Sequence, residues 1–121
     1  MKNIANLNFS NIADTISIEI ASALLEFKKY VKYLDRSTIL ANSLTVQYIN
    51  LITYENENYC IRLNINGWCI VSNTFDDDRY KNSSRNLQYF ETLGSLLDNV
   101  SLEYRKLFSE HLNIKLHEIK N

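Results

Sequence analysis

The sequence predicts an α+β domain built on an antiparallel meander, and three observations carry that prediction. Apolar residues recur every three or four positions near both ends of the chain and every second position in the middle. The alternating stretch is broken by Asn66-Gly67, the dipeptide that suits a tight hairpin turn. The chain has 121 residues, 45% hydrophobic and 22% charged, which is one domain with one core. Three to four strands are expected, packed on one face by a long N-terminal helix and two C-terminal helices.

Residues 1–10 read as a flexible tail and 11–121 as the single domain. In the first helix, expected over 11–34, Ile16, Ile20, Ala23, Phe27, Val31 and Leu34 form one apolar stripe. Ser10 suits the N-cap, and Lys28, Lys29 and Lys32 suit the dipole's C-terminal end. Ile12, Ile18 and Leu25 lie off the stripe and suggest a second contact face.

The period then changes. Tyr59, Ile61, Leu63 and Ile65 alternate, and Trp68, Ile70 and Ser72 alternate on the return. A two-residue Asn66-Gly67 turn pairs Ile65 with Trp68, Leu63 with Ile70 and Ile61 with Ser72. Cys60, Arg62, Asn64, Cys69, Val71 and Asn73 fall on the other face, which is mixed and expected to be partly exposed. Residues 46–53 form a third strand, and Ile39-Leu40 is the candidate for a fourth. In this register Cys60 and Cys69 are four residues out of step. That is roughly 13 Å, beyond disulfide reach, so two free thiols are expected.

Residues 76–86 are polar and read as a loop, with Asp76, Asp77 and Asp78 solvated. A second helix is expected over 87–99, carrying Phe90, Leu93, Leu96 and Leu97. Ser101 then caps a third helix running from Leu102 to about Lys120.

That third helix has more apolar surface than one packing face needs. Tyr104, Phe108, Leu112 and Leu116 recur every four residues, with Ile119 three later and Leu107 and Ile114 to one side. The arc spans roughly 200°, about twice the stripe of an ordinary surface helix. One side can pack on the sheet, and the surplus fits a helix that docks in a partner's groove.

Several function classes recede on the same evidence. Net charge is −1, from 13 Lys+Arg against 14 Asp+Glu, so no general pull toward nucleic acid or anionic membrane follows. No apolar run approaches the roughly 18–20 residues of a membrane span, and the N-terminus lacks a secretory h-region. A cytoplasmic or nuclear setting is expected. Proline is absent and glycine occurs only twice, leaving no Gly-rich phosphate loop. His111 and His117 are six apart and share no zinc face. No catalytic set, cofactor site or metal site is expected; a small buried polar pocket with a shifted pKa would revive the enzyme reading.

Three blocks carry a resemblance: YINLITYENENYCIRL at 48–63, the hairpin from Asn66-Gly67 to Phe75, and ETLGSLLDNVSLEYRKLF at 91–108 continuing into SEHLNIKLHEIK. They resemble the domain of the glycogen synthase kinase-3 interaction protein (GSKIP) family over residues 16–120. The resemblance implies an α+β fold, no catalysis, and binding of glycogen synthase kinase-3 through the last helix. That helix also looks like the kinase-binding helix of axin, in the pattern Phe-x3-Leu-x3-Leu-x2-aliphatic. The implied kinase-binding residues are Phe108, Leu112, Lys115, Leu116 and Ile119. The family's second partner, the protein kinase A regulatory subunit, implies docking by the first helix. Here Lys28 and Lys29 replace aliphatic or aromatic positions, which counts against it. A related domain in clustered-mitochondria (CLU) proteins gives the alternative of a role in mitochondrial organisation.

Overall fold

The computed structural model describes residues 9–81 and 86–120. Positions 1–8 of the expected tail and 82–85 of the polar loop lie outside them. The order is α1 (Phe9–Phe27), β1 (Tyr33–Arg36), β2 (Gln47–Ile52), β3 (Asn58–Asn64), β4 (Gly67–Ser72), α2 (Leu93–Val100) and α3 (Leu102–Lys120). The strands form one antiparallel meander in chain order, β1-β2-β3-β4.

The first helix is shorter than its stripe predicts, and Ser10 lies inside it rather than capping it. After Phe27 one 3-10 turn, Lys28–Tyr30, leads into extended backbone at Val31, with φ −138° and ψ 164°. Tyr30, Val31 and Tyr33 favour strand over helix. Val31 and Leu34 are buried all the same, so their fit to the helical spacing is a coincidence of two routes into one core. The fourth strand is therefore Tyr33–Arg36, not Ile39-Leu40. The Ser37 hydroxyl accepts the Ile39 and Leu40 amides at 3.3 and 3.0 Å and turns the chain away from the sheet.

The hairpin turns one residue earlier than Asn66-Gly67. Asn64 pairs with Gly67, Leu63 with Trp68 and Ile61 with Ile70, so Ile65-Asn66 form the turn. The Asn64 side chain accepts the Asn66 amide at 2.9 Å, a local bond that fixes the bend. Gly67 is the residue with positive φ, 122°. A Cβ there would sit 2.5 Å from the Phe90 carbonyl oxygen. Glycine thus lets residues 89–91 approach β4, where Trp68 and Phe90 exchange N–H···O bonds of 2.8 and 2.7 Å. The slip amounts to two positions in pairing, so Ile61, Leu63, Trp68 and Ile70 keep their common face. Cys69 faces Arg62, two residues from Cys60, about 7 Å out of step rather than 13 Å. Both thiols are free and buried.

One core lies between the sheet and the helices. Ile16, Ile20, Ala23 and Phe27 of α1 meet Ile49, Leu51, Ile61, Leu63 and Trp68, with Leu93, Leu96, Leu97 and Tyr104 closing the end. The second sheet face is covered too, against expectation. Tyr48, Cys60, Cys69 and Val71 form a smaller core under Leu40, Val46, Tyr80 and Leu87. The acidic run fastens this cover: the Asp78 side chain is buried rather than solvated, while Asp77 keeps 41% of its side chain exposed. Asp76 accepts from Ser37 and Asn50 at 2.6 and 2.8 Å, and Asp77 accepts from Ser72 at 3.2 Å. Asp78 accepts from Arg62 at 2.9 Å and from the Tyr48 hydroxyl at 2.6 Å. Arg62 also donates to the Tyr89 hydroxyl at 3.1 Å.

Residues 87–92 are not helical, because Phe90 bridges to β4. The second helix begins only at Leu93, after Thr92, whose side chain accepts the Ser95 amide at 3.0 Å.

Candidate functional site: the C-terminal helix

The start of α3 is held from two sides. The Ser101 hydroxyl accepts the Tyr104 amide at 3.0 Å, the cap that the sequence predicts. Glu55, in the β2–β3 turn, was not foreseen: its carboxylate accepts the Ser101 hydroxyl and the Glu103 amide, both at 2.8 Å. An anion at a helix N-terminus also suits the dipole. Desolvation is the largest single influence and raises the Glu55 pKa, but the hydrogen bonds from the Glu103 amide, the Ser101 hydroxyl, its own amide and Thr53 together outweigh it and hold the carboxyl below its ordinary value. No sequence signal marks Glu55, because its partners lie 46 and 48 residues away.

The first half of α3 grips the body through aromatic rings. Tyr104 is buried, with its ring 6.1 Å from Phe27 and 5.6 Å from Tyr30. Phe108 stands edge-on to Tyr30 at 5.6 Å and stacks on Tyr104 at 5.7 Å. His111 meets the edge of Tyr30 at 5.9 Å. Gly94 of α2 permits this: a Cβ there would come within 3.2 Å of Phe27 and 3.3 Å of the Tyr104 hydroxyl. The helix therefore packs on α2 and the 3-10 turn, not on the sheet as expected.

Past His111 the helix continues with its side chains exposed. Taking Phe108 as zero at 100° per residue, Lys115, Ile119, Leu112 and Leu116 fall within about 100° on one side. Tyr104, Leu107 and His111 fall on the other and face the body. Phe108 is 39% exposed, Leu112 48%, Leu116 47% and Ile119 80%. Lys115 is exposed beside them. The structure thus brings the five sequence-predicted residues into one accessible stripe, roughly 16 Å long from Phe108 to Ile119 at 1.5 Å per residue.

Elsewhere hydrogen bonds from Ser37 and Asn50 hold the Asp76 carboxyl below its ordinary value, while the buried thiols and the Tyr48 phenol are held in their protonated forms. Burial pushes the Cys60 and Cys69 thiols up, and burial with Asp78 beside it pushes the Tyr48 phenol up to about 12. Such groups are poor nucleophiles near neutral pH. Among the described residues no set of three His, Cys, Asp or Glu could hold a metal ion, and no helix is long and apolar enough to cross a membrane.

Fold and stripe define a class: a small α+β module that holds out the apolar side of a terminal helix. The GSKIP domain profile matches residues 16–119, and the chain belongs to that family. It is 40% identical over 81 residues to the GSK3-beta interaction protein of Danio rerio, covering 67% of this chain and 59% of that protein. It is 39% identical over 77 residues to the Gallus gallus protein of the same name and 38% to the GSK3B-interacting protein of Homo sapiens. Each of those matches covers 62% of this chain and 52% of the relative. The chain thus spans a little over half the length of the relatives it matches.

Proposed function

We propose that this chain is a non-catalytic adaptor that binds glycogen synthase kinase-3 by seating α3 in an apolar groove of the kinase. The observation that carries the reading is the exposed stripe of Phe108, Leu112, Leu116 and Ile119 on a helix anchored at its other end. The names of the relatives, GSK3-beta interaction protein, support the choice of partner. Full burial of a Leu or Phe side chain contributes roughly 1.5–3 kcal/mol. The stripe residues start half exposed, so each adds about 1 kcal/mol on docking, and Ile119 adds more. Lys115 at the rim serves orientation and encounter more than affinity. A preformed helix avoids the ordering cost that a disordered segment would bear. Occupying the groove excludes axin-like helices from it, so regulation of a Wnt-type pathway acts by competition, in a cytoplasmic or nuclear setting.

Calorimetric titration of the purified kinase with the full chain tests this. Wild type binds; Leu116→Asp, which puts a charge into a desolvated groove, loses at least 100-fold in affinity while keeping its circular dichroism and melting curve. Leu116→Pro loses binding by breaking the helix. A folded Leu116→Asp protein that binds like wild type refutes the assignment.

The alternative, protein kinase A anchoring, would use the outer side of α1, where Ile18 and Leu25 are exposed seven residues apart. Lys28 and Lys29 follow α1 in the 3-10 turn. A pull-down with the regulatory subunit separates the two readings.

A further inference from the structure

A cleft runs along α1 on the side away from the sheet's second face, in two adjoining chambers of about 420 and 490 Å³ that share Glu19 and Glu91. The first lies between Ile12 and Ile16 of α1 and the tip of the β3–β4 hairpin. The second lies between Ala23 and Phe27 and the Trp68, Tyr104 and Phe108 rings. From Ile12 to Phe27 the helix wall measures roughly 22 Å at 1.5 Å per residue.

The cleft's charge is one-sided. Glu19, Glu26 and Glu91 line it, and among the described residues no Lys, Arg or His does. The chain as a whole is almost balanced, 13 cations against 14 anions, so this is segregation rather than a general excess. Glu19 is oriented: its Oε2 accepts the Trp68 indole N–H at 2.8 Å, and Oε1 has no partner among the described residues. Glu26 and Glu91 form no ion pair among the described residues. At the far end, burial above all, with smaller contributions from Asp98, Tyr30 and Glu26, pushes the Tyr104 phenol up to about 12.

We propose that this cleft docks an extended peptide segment of a partner, about seven residues long, with apolar side chains and two or three arginines or lysines. Length selects a peptide: at about 3.1 Å per residue in an extended PPII form, seven residues span the wall. Charge selects cations, since the carboxylates favour a guanidinium by ion pairing, and the accessible rings of Tyr89 and Phe108, 36% and 39% exposed, add cation–π attraction. Spacing sets the pattern. Glu19 and Glu26 are seven residues apart on nearly the same side of α1, roughly 10 Å. Cations three positions apart in a PPII segment recur on one side every 9 Å or so.

The test uses the full chain and a labelled seven-residue peptide with Arg at positions 1, 4 and 7 and Leu or Ala between, read by anisotropy. Trp68, the only tryptophan, supplies a second signal from inside the cleft. The expected result is binding that weakens with salt, a change in tryptophan emission, and no binding of the same peptide with Glu for Arg. Glu19→Gln/Glu26→Gln/Glu91→Gln, which keeps an acceptor for the indole, loses at least tenfold in affinity with an unchanged melting curve. Equal binding of the basic and acidic peptides overturns the proposal, as does wild-type affinity in the triple variant. So does sedimentation showing a dimer that the triple variant dissociates, because the occupant is then a second copy of the chain.

Discussion

Replacing Asp78 with alanine tests whether the acidic loop is a structural clasp. The carboxylate is 1% exposed and the Arg62 side chain 10%. Asp78 accepts from Arg62 at 2.9 Å, from the Tyr48 hydroxyl at 2.6 Å and from the Tyr80 amide at 3.0 Å. Its removal leaves a buried guanidinium without its counter-charge and two donors without this acceptor. Breaking a buried pair by deleting one partner costs about 3–5 kcal/mol. Arg62 keeps its bond to Tyr89 and a little water, so the lower end, about 3 kcal/mol, applies. Against the roughly 5–15 kcal/mol of a typical domain that is a large share. At about 4 °C per kcal/mol for a chain of this size, the melting temperature should fall by 10–15 °C. Thermal unfolding at pH 7, followed by circular dichroism, measures it. The double variant Arg62→Leu/Asp78→Leu should recover the part due to the unpaired guanidinium, since an apolar pair can replace a buried ion pair at little net cost, while the Tyr48 hydroxyl and Tyr80 amide still lack this acceptor. A melting point for Asp78→Ala within 3 °C of wild type would mean that the loop does not clasp the second face.

Two further outcomes follow from single groups. The Glu55 carboxyl is held below its ordinary value, so its contribution is present above the unfolded pKa and is lost as pH falls through the lower, folded one. Stability should therefore drop on acidification below about pH 4.5. Glu55→Gln should flatten that part of the profile and lower stability at pH 7 by about 0.5–1 kcal/mol, read by urea unfolding at several pH values. Gly67→Ala should cost at least 2 kcal/mol or so, from positive φ and collision with the Phe90 carbonyl. Gly94→Ala meets only side-chain atoms, at 3.2–3.3 Å, and should cost less; equal losses in the two melts would contradict the close-approach account of Gly67.

Features written in local sequence were legible. Ser101, the four-residue rhythm of Tyr104, Phe108, Leu112 and Leu116, and the alternation over β3 and β4 each act within a few residues. Features made by distant partners were not. The Asn66-Gly67 signal marked the right hairpin, but the turn is placed by the Asn64 side chain and by Phe90, 23 residues beyond Gly67. The run Asp76, Asp77, Asp78 reads as solvated until Ser37, Asn50 and Arg62 are brought to it. One signal for the second core was present in the strands. Cys60, Cys69 and Val71 lie opposite the main stripe, and strands apolar on both sides belong to a sheet covered on both sides. Val31 and Leu34 misled because the residues that leave a helix can still serve its core.

The overhang of α3 also bears on how fast an encounter can be. An isolated helix under about 12 residues is marginal in water, because its first turn must nucleate at a loss. Here Ser101, Glu55 and the rings around Tyr30 nucleate the first turns, and the stripe beyond His111 only propagates them. Capture by any receiving cleft then needs no coil-to-helix step. Association should be single-exponential and linear in concentration, at the roughly 10⁵–10⁷ M⁻¹s⁻¹ of two ordered surfaces, with stripe variants differing mainly in how quickly they let go.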